Sequence, residues 1–105
     1  MSGPATRSEE STGRSIEVEV RNDEGLHARP AAQFVRAAAG FASTIRLENL
    51  TDARPAANAK SITSVLAAGA EKGHLVKITA EGPDEEDAAE TLQGLLAGLG
   101  EPVGE

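Results

Sequence analysis

The first strand, loop and helix of the chain lie within residues 15–40, which read SIEVEVRNDEGLHARPAAQFVRAAAG. Three apolar residues at the start of this stretch alternate with charged ones: Ile16, Val18 and Val20. A period of two is typical of a half-buried strand, so we predict a strand that begins at Ser15. The polar loop at residues 22–25 ends it.

The second half of the same stretch has the pattern of a helix. Its apolar residues follow the i, i+3, i+4, i+7 spacing of one helix face: Ala31, Phe34, Val35 and Ala38. Pro30 fits the first turn, because its missing N–H would have no intrahelical partner there. We predict a helix that begins just after His27 and ends near Gly40.

Similar reasoning predicts five further elements. These are strands at residues 43–50, 54–57 and 74–81, a short helix around 62–66 capped by Asn58 or Ser61, and a last helix that carries Ala88, Leu92, Leu95, Leu96 and Leu99 on one face. The acidic residues 84–87 precede that face and complement the helix dipole.

The order of elements favours an α+β fold. Three one-sided helices need an apolar sheet face, and alternating antiparallel strands supply one. We therefore predict one domain at residues 15–100, with a largely solvated second sheet face. Residues 1–14 have no periodic apolar positions and are predicted to be a disordered tail or linker, and residues 101–105 a short C-terminal tail.

Composition excludes several classes of function. The net charge of −7 disfavours nucleic acid as a general partner. With no cysteine and two histidines, the chain indicates neither a metal site nor a disulfide. No apolar run approaches the ~20 residues of a membrane helix, and the N-terminus does not resemble a signal peptide. We expect a cytoplasmic protein without a cofactor.

The segment Gly25–Pro30 carries the best candidates for chemistry. It places His27 and Arg29 at the entry to a helix, where free N–H groups and the dipole favour an anion. A neutral imidazole nitrogen can attack phosphorus, and a guanidinium can grip phosphoryl oxygens with paired donors. Each residue also has an ordinary interpretation: a capping or loop histidine and a solvated arginine.

Three other positions have simple structural interpretations. Ser61 is a good N-cap residue. We expect His74 to be a surface residue, and the acidic run from Asp84 to be a solvated first turn rather than a metal site.

Two motifs identify a family. Residues 25–32, Gly-Leu-His-Ala-Arg-Pro-Ala-Ala, resemble the phosphorylation-site motif of the histidine-containing phosphocarrier protein, HPr, of the bacterial sugar phosphotransferase system. Residues 58–62, Asn-Ala-Lys-Ser-Ile, resemble the regulatory-serine motif of that family. The motifs occur in the family's order and spacing, and the resemblance covers residues 16–99.

The resemblance implies an open-faced β-sandwich, βαββαβα, with a four-stranded antiparallel sheet and three helices on one face. It also implies that enzyme I, charged by phosphoenolpyruvate, phosphorylates His27 at Nδ1 to give pros-phosphohistidine. Enzyme IIA domains that feed sugar uptake would then receive the phosphoryl group, and Arg29 would stabilise its oxygens. The protein would be a monomeric carrier, not an independent enzyme.

The same resemblance makes Ser61 a regulatory phosphosite, with a serine kinase or phosphatase or a transcription regulator as a further partner. It assigns docking to an apolar patch of Ile62, Val65 and Leu66, although Thr63 stands where many members have methionine. The connection at residues 48–55 is longer than the family's usual hairpin, and the polar N-terminal extension is unusual for a free-standing member.

These departures leave two other interpretations open. One is an HPr-like domain of a multidomain carrier, such as the dihydroxyacetone kinase phosphotransferase subunit or a fused multiphosphoryl transfer protein. The other is a regulatory binding module that acts through Ser61 while His27 is silent.

Overall fold

The computed structural model describes residues 13–21 and 23–98. Within these residues it has four strands, β1 (Arg14–Glu19), β2 (Thr44–Asn49), β3 (Ala57–Asn58) and β4 (Leu75–Glu81). It also has three helices, α1 (Ala28–Ala39), α2 (Ile62–Ala67) and α3 (Glu85–Gly98). The order of elements and the α+β fold class predicted from the sequence are confirmed.

The strands form one antiparallel sheet in the order β1-β4-β2-β3. In its register Ile78 of β4 faces Ile16 of β1 on one side and Leu47 of β2 on the other. The adjacent row joins Glu17, Lys77 and Glu48, which belong to the polar face. Alternation along each strand thus separates an apolar face from a polar one.

The helices cover the apolar face. Helix α3 packs on β1 and β4, and α1 packs on both α2 and α3. Phe34 is the largest buried side chain of the described core and is fully buried. The same core cluster contains these small or aliphatic residues: Ala31, Ala38, Ile45, Val76, Ile78, Ala88, Leu92 and Leu96.

Several element boundaries differ from the predictions, mostly by one residue at an end. The third strand was predicted at residues 54–57 but lies at Ala57–Asn58, because Pro55 has no N–H for the ladder. Strand β1 begins at Arg14, one residue inside the predicted tail. Residues 1–12, Leu99 and the predicted C-terminal tail lie outside the described residues.

Asp84 connects the start of α3 to the start of β2. Its carboxylate accepts hydrogen bonds from the backbone N–H groups of Ala42 (2.8 Å) and Ser43 (3.0 Å), and a short one from the Ser43 hydroxyl. The Ser43 hydroxyl, followed by the Ala42 N–H, lowers the pKa of Asp84 below its usual value. Asp84 therefore has a structural role that the prediction of a solvated first turn did not include.

The rest of the acidic turn is local or exposed. Glu85 accepts from the N–H of Gly82 at 3.1 Å, and Glu86 pairs with Arg14 at 2.8 Å. Throughout the described part of the chain, no three acidic, histidine or cysteine side chains form a group that could hold a metal ion. No described helix combines the length and apolar character needed to span a membrane.

Candidate active site

The loop before α1 is anchored to the segment that follows α2. Leu26 is fully buried, and its N–H donates to the carbonyl of Ala70 at 2.8 Å. Gly25 has a φ of +65° and packs directly on the backbone of Ala70 and Glu71. This left-handed conformation in a tight contact favours glycine, so the motif's first residue has a local structural reason.

His27 is the N-cap residue of α1. Its backbone is extended, with φ −111° and ψ 166°, and its carbonyl accepts from the N–H of Ala31 at 3.1 Å. Its side chain is exposed and makes no capping hydrogen bond. An N-cap side chain normally accepts from the second or third helical N–H, and the third position here is Pro30, which has none. The ring is therefore available for chemistry.

The helix start supplies positive potential beside that ring. The N–H groups of Ala28 and Arg29 have no intrahelical acceptor, and no other described residue accepts from them. The first turn of α1 contains no acidic residue that would offset the dipole. Ala28 also has a φ of +24°, a sparsely populated value adjacent to the candidate nucleophile.

Arg29 is exposed and forms no ion pair with any described residue. Its position two residues after His27 places both side chains at the same end of α1. Together with the two free N–H groups, this arrangement can hold a tetrahedral or trigonal phosphoryl group at the His27 ring.

Ser61 is the N-cap residue of α2, as predicted. Its Oγ accepts from the N–H of Ser64 at 3.2 Å. Asn58, the other capping candidate, instead accepts from the N–H of Lys60 at 2.9 Å. Because α1 packs on α2, the helix that carries Ser61 is a direct neighbour of the helix that follows His27.

The predicted docking patch is smaller than expected. Ile62 and Leu66 are 39% and 41% exposed, but Val65 is fully buried. Ile62 and Leu66 are four residues apart and share the outer side of α2, whereas Val65 faces the core. Val65 is therefore a core residue, and the prediction that it docks partners was wrong.

Sequence reasoning missed a polar contact between His74 and Asn49. His74 is half-buried rather than a surface residue, and its Nδ1 lies 3.1 Å from Nδ2 of the fully buried Asn49. Asn49 follows Ile45 and Leu47 at every second position of β2. A polar residue at an inward strand position could have indicated a buried partner.

Comparison with known proteins identifies the family. The model of the family described as "PTS HPr component phosphorylation site" matches residues 14–98. This chain belongs to the HPr family. The chain is 41% identical over 80 residues to the phosphocarrier protein HPr of Vibrio cholerae. The alignment covers 76% of this chain and 91% of that protein.

Part of the sequence of multiphosphoryl transfer proteins is also similar to this chain. The chain is 46% identical over 83 residues to the protein of Vibrio cholerae and 42% identical over 85 residues to that of Haemophilus influenzae. The matched parts are 78% and 80% of this chain, but only 21% and 17% of those proteins. The chain thus spans about a fifth of the length of these relatives.

Solved HPr structures share the fold. The structure of HPr from Thermoanaerobacter tengcongensis superposes with a TM-score of 0.78 at 41% identity, covering 86% of this chain and 99% of that one. HPr from Bacillus anthracis gives a TM-score of 0.74 at 37% identity, with 79% and 95% covered. The open-faced β-sandwich expected from the resemblance is confirmed.

Proposed function

We propose that this HPr domain is a phosphoryl carrier of the phosphoenolpyruvate-dependent sugar phosphotransferase system. It accepts a phosphoryl group from phosphorylated enzyme I on Nδ1 of His27 and passes it to an enzyme IIA domain. One observation carries the proposal: the uncommitted ring of His27 stands at the start of α1, beside two N–H groups with no acceptor among the described residues.

The transfer is an in-line displacement at phosphorus. The lone pair of His27 Nδ1 attacks, a new N–P bond forms, and the bond between phosphorus and the donor breaks with its electron pair remaining on the donor. Negative charge on the three phosphoryl oxygens is stabilised by Arg29 and by the N–H groups of Ala28 and Arg29. The second transfer reverses these steps with the acceptor as nucleophile.

The protein is therefore a covalent carrier and not an independent enzyme. It returns to its starting state only after a second protein has taken the phosphoryl group. Ile62 and Leu66, which remain exposed on α2, supply apolar contact area for enzyme I and enzyme IIA next to the His27 site. The carrier acts as a monomer in the cytoplasm in this proposal.

Ser61 is the proposed regulatory site. A phosphoryl group there would add about −1.5 to −2 charge at the start of α2, where the dipole favours it. The same charge would lie one residue from Ile62 and would repel acidic partners at the docking surface. A serine kinase and phosphatase would then control docking without altering His27.

The similarity to multiphosphoryl transfer proteins supports a second destination for the same chemistry. In that alternative the domain works within a longer carrier and serves an acceptor domain of that carrier. A reconstituted relay that offers sugar-specific enzyme IIA and acceptors of multidomain carriers side by side distinguishes the two. Preferential transfer to the latter would replace the first destination.

The direct test is phosphorylation by enzyme I and phosphoenolpyruvate, followed by intact mass. We expect one acid-labile phosphoryl adduct on the wild-type protein. The His74→Asn protein, in which His27 is the remaining histidine, should carry the same adduct. His27→Ala should carry none. An adduct that persists in His27→Ala, or none on the wild-type protein with active enzyme I, would contradict the proposal.

A further inference from the structure

A buried amide and a half-buried imidazole meet where β2 ends and β4 begins. Asn49 ends β2 and is fully buried, and His74 immediately precedes β4. Nδ2 of Asn49 lies 3.1 Å from Nδ1 of His74. Burial of a carboxamide is unfavourable unless its donors and acceptors are paired, so the partners of Asn49 define the geometry here.

The orientation of the Asn49 amide follows from two backbone groups. Nδ2 lies 3.0 Å from the carbonyl oxygen of Ala68, and Oδ1 lies 3.0 Å from the N–H of Asp52. A carbonyl can only accept and a backbone N–H can only donate, so a flipped amide would lose both hydrogen bonds. Nδ2 therefore directs its second hydrogen at His74.

The protonation of the His74 ring follows in turn. Nδ1 faces the Nδ2 hydrogen of Asn49 and also the N–H of Glu71, at 3.3 Å. Two donors converge on one nitrogen, which must then be an acceptor. The ring that fits this site is neutral, with its hydrogen on Nε2.

His74 belongs to the supporting turn, residues 70–74, on which the His27 loop rests. The N–H of His74 donates to the carbonyl of Glu71 at 2.8 Å and closes the turn. The carbonyl of Ala70 accepts from the N–H of Leu26 at 2.8 Å. The N–H of Gly73 donates to the carbonyl of Val20 at 2.8 Å, and the carbonyl of His74 accepts from the N–H of Val20 at 2.9 Å. The supporting turn thus holds the chain at Val20 and again at Leu26.

We propose that His74, held by Asn49 as the neutral Nε2–H tautomer, is a positioning residue for His27. It acts through the supporting turn and does not touch the phosphoryl group. This inference rests on the proposed carrier function and adds to it a second histidine with a structural task. Because small displacements of a reacting group can slow a reaction by as much as ~100-fold, we expect loss of this pair to reduce transfer about 10-fold.

Three substitutions at His74 separate hydrogen bonding from size. His74→Ala removes the acceptor. His74→Asn places a side-chain oxygen near the position of Nδ1, where it can accept from both donors. His74→Gln reaches the position of Nε2 instead and is the matched control. The order of phosphoryl acceptance rates from enzyme I should be wild type, close to His74→Asn, then His74→Gln and His74→Ala about 10-fold lower.

A spectroscopic measurement tests the tautomer without any transfer reaction. Nitrogen-15 NMR of the histidine-labelled wild-type protein should show, for His74, an unprotonated Nδ1 and a hydrogen on Nε2. Hydrogen exchange of the Leu26 amide should be faster in His74→Ala than in the wild type, and restored in His74→Asn. Both measurements remain informative if enzyme I does not phosphorylate the protein, an outcome that would contradict only the proposed function.

The proposal is overturned by any of three results. These are a hydrogen on Nδ1 of His74 or a mixture of tautomers, a folded His74→Ala protein that accepts phosphoryl groups at the wild-type rate, and a His74→Asn protein as slow as His74→Ala. Where no variant is phosphorylated, equal Leu26 exchange in the wild type and His74→Ala overturns it.

Discussion

Gly25 packs so closely on Ala70 that a Cβ atom at Gly25 would lie 2.7 Å from the Ala70 carbonyl oxygen. The contact joins the loop before His27 to the segment after α2. In sequence these two segments are separated by about half the length of the domain. It makes the motif glycine a structural requirement of the candidate active site.

Gly25→Ala is expected to destabilise the fold and to slow phosphoryl acceptance. The positive φ alone costs about 1–2 kcal/mol for a residue with a Cβ, and the clash with the Ala70 backbone adds to it. Gly73→Ala is the matched control, because its φ is +89° but no atom lies within 4 Å of its Cβ position. In urea unfolding, the free energy of unfolding should be lower for Gly25→Ala than for Gly73→Ala. Equal values for the two variants would refute the close-contact argument.

Arg29→Ala should reduce the rate of phosphoryl acceptance about 10²-fold, since it removes a charged donor from the developing phosphoryl charge. Arg29→Lys should fall between, because an ammonium cannot bind two oxygens in a fixed geometry. The free energy of unfolding should change by less than about 0.5 kcal/mol, as expected for an exposed side chain that pairs with none of the described residues.

Rapid-quench kinetics with phosphorylated enzyme I measures the Arg29 effect. Arg36→Ala, an exposed change in the last turn of the same helix, is the control. A rate for Arg29→Ala equal to that of Arg36→Ala would remove Arg29 from the site.

Substitutions at Ser61 should separate capping from regulation. Ser61→Ala loses the hydrogen bond to the Ser64 N–H and should cost about 1 kcal/mol in urea unfolding. Ser61→Asp retains a capping oxygen and adds charge, so it should stay stable yet accept phosphoryl groups from enzyme I more slowly. The exposed Thr63→Asp adds the same charge on α2 without a cap.

Thr63→Asp is the control for the proposed regulation, because it adds the same charge to α2 at a position other than the N-cap. If Ser61→Asp accepts phosphoryl groups as fast as the wild type, the proposed regulation at this position is wrong.

A different result would replace the carrier function itself. If His27→Ala leaves all partner binding and signalling intact, the protein is a regulatory binding module and not a carrier.

The Asp84 hydrogen bonds should make stability depend on pH. The folded state lowers the pKa of Asp84, so its stabilising contribution is fully present above the ordinary value of 3.8 and is lost as the pH falls through the lowered pKa. Asp84→Asn should therefore unfold at lower urea concentration than the wild type near neutral pH, and the gap should narrow in acid.

Asp87→Asn is the control for this pH dependence. Asp87 is an exposed acidic residue in the first turn of the same helix. Urea midpoints of both variants and the wild type across the acid range test the assignment. A constant gap between Asp84→Asn and the wild type down to the lowest pH would contradict it.

Local patterns were sufficient for most elements and for the position of His27. The alternation at Ile16 and Val18 and the spacing from Ala31 involve neighbours in sequence, so periodicity alone indicates which side faces the core. The same logic explains why Ser61 could be predicted as an N-cap, since the hydrogen bond it accepts comes from a residue three positions away.

Long-range contacts decided the remainder. Val65 belongs to an apolar run in which periodicity cannot tell a docking residue from a core residue. The tertiary packing of α2 buries it. Asp84 reaches back to Ser43, and His74 to Asn49, across more than twenty positions in each case.

The amino-acid sequence by itself therefore determined an α+β domain, the order of its elements and a histidine at the start of a helix. Tertiary structure alone established which polar side chains are partners, because a hydrogen bond depends on distance and direction in space. It placed Asp84 against the residues that precede β2, and it placed His74 beside Asn49, because β2 and β4 are neighbours in the sheet.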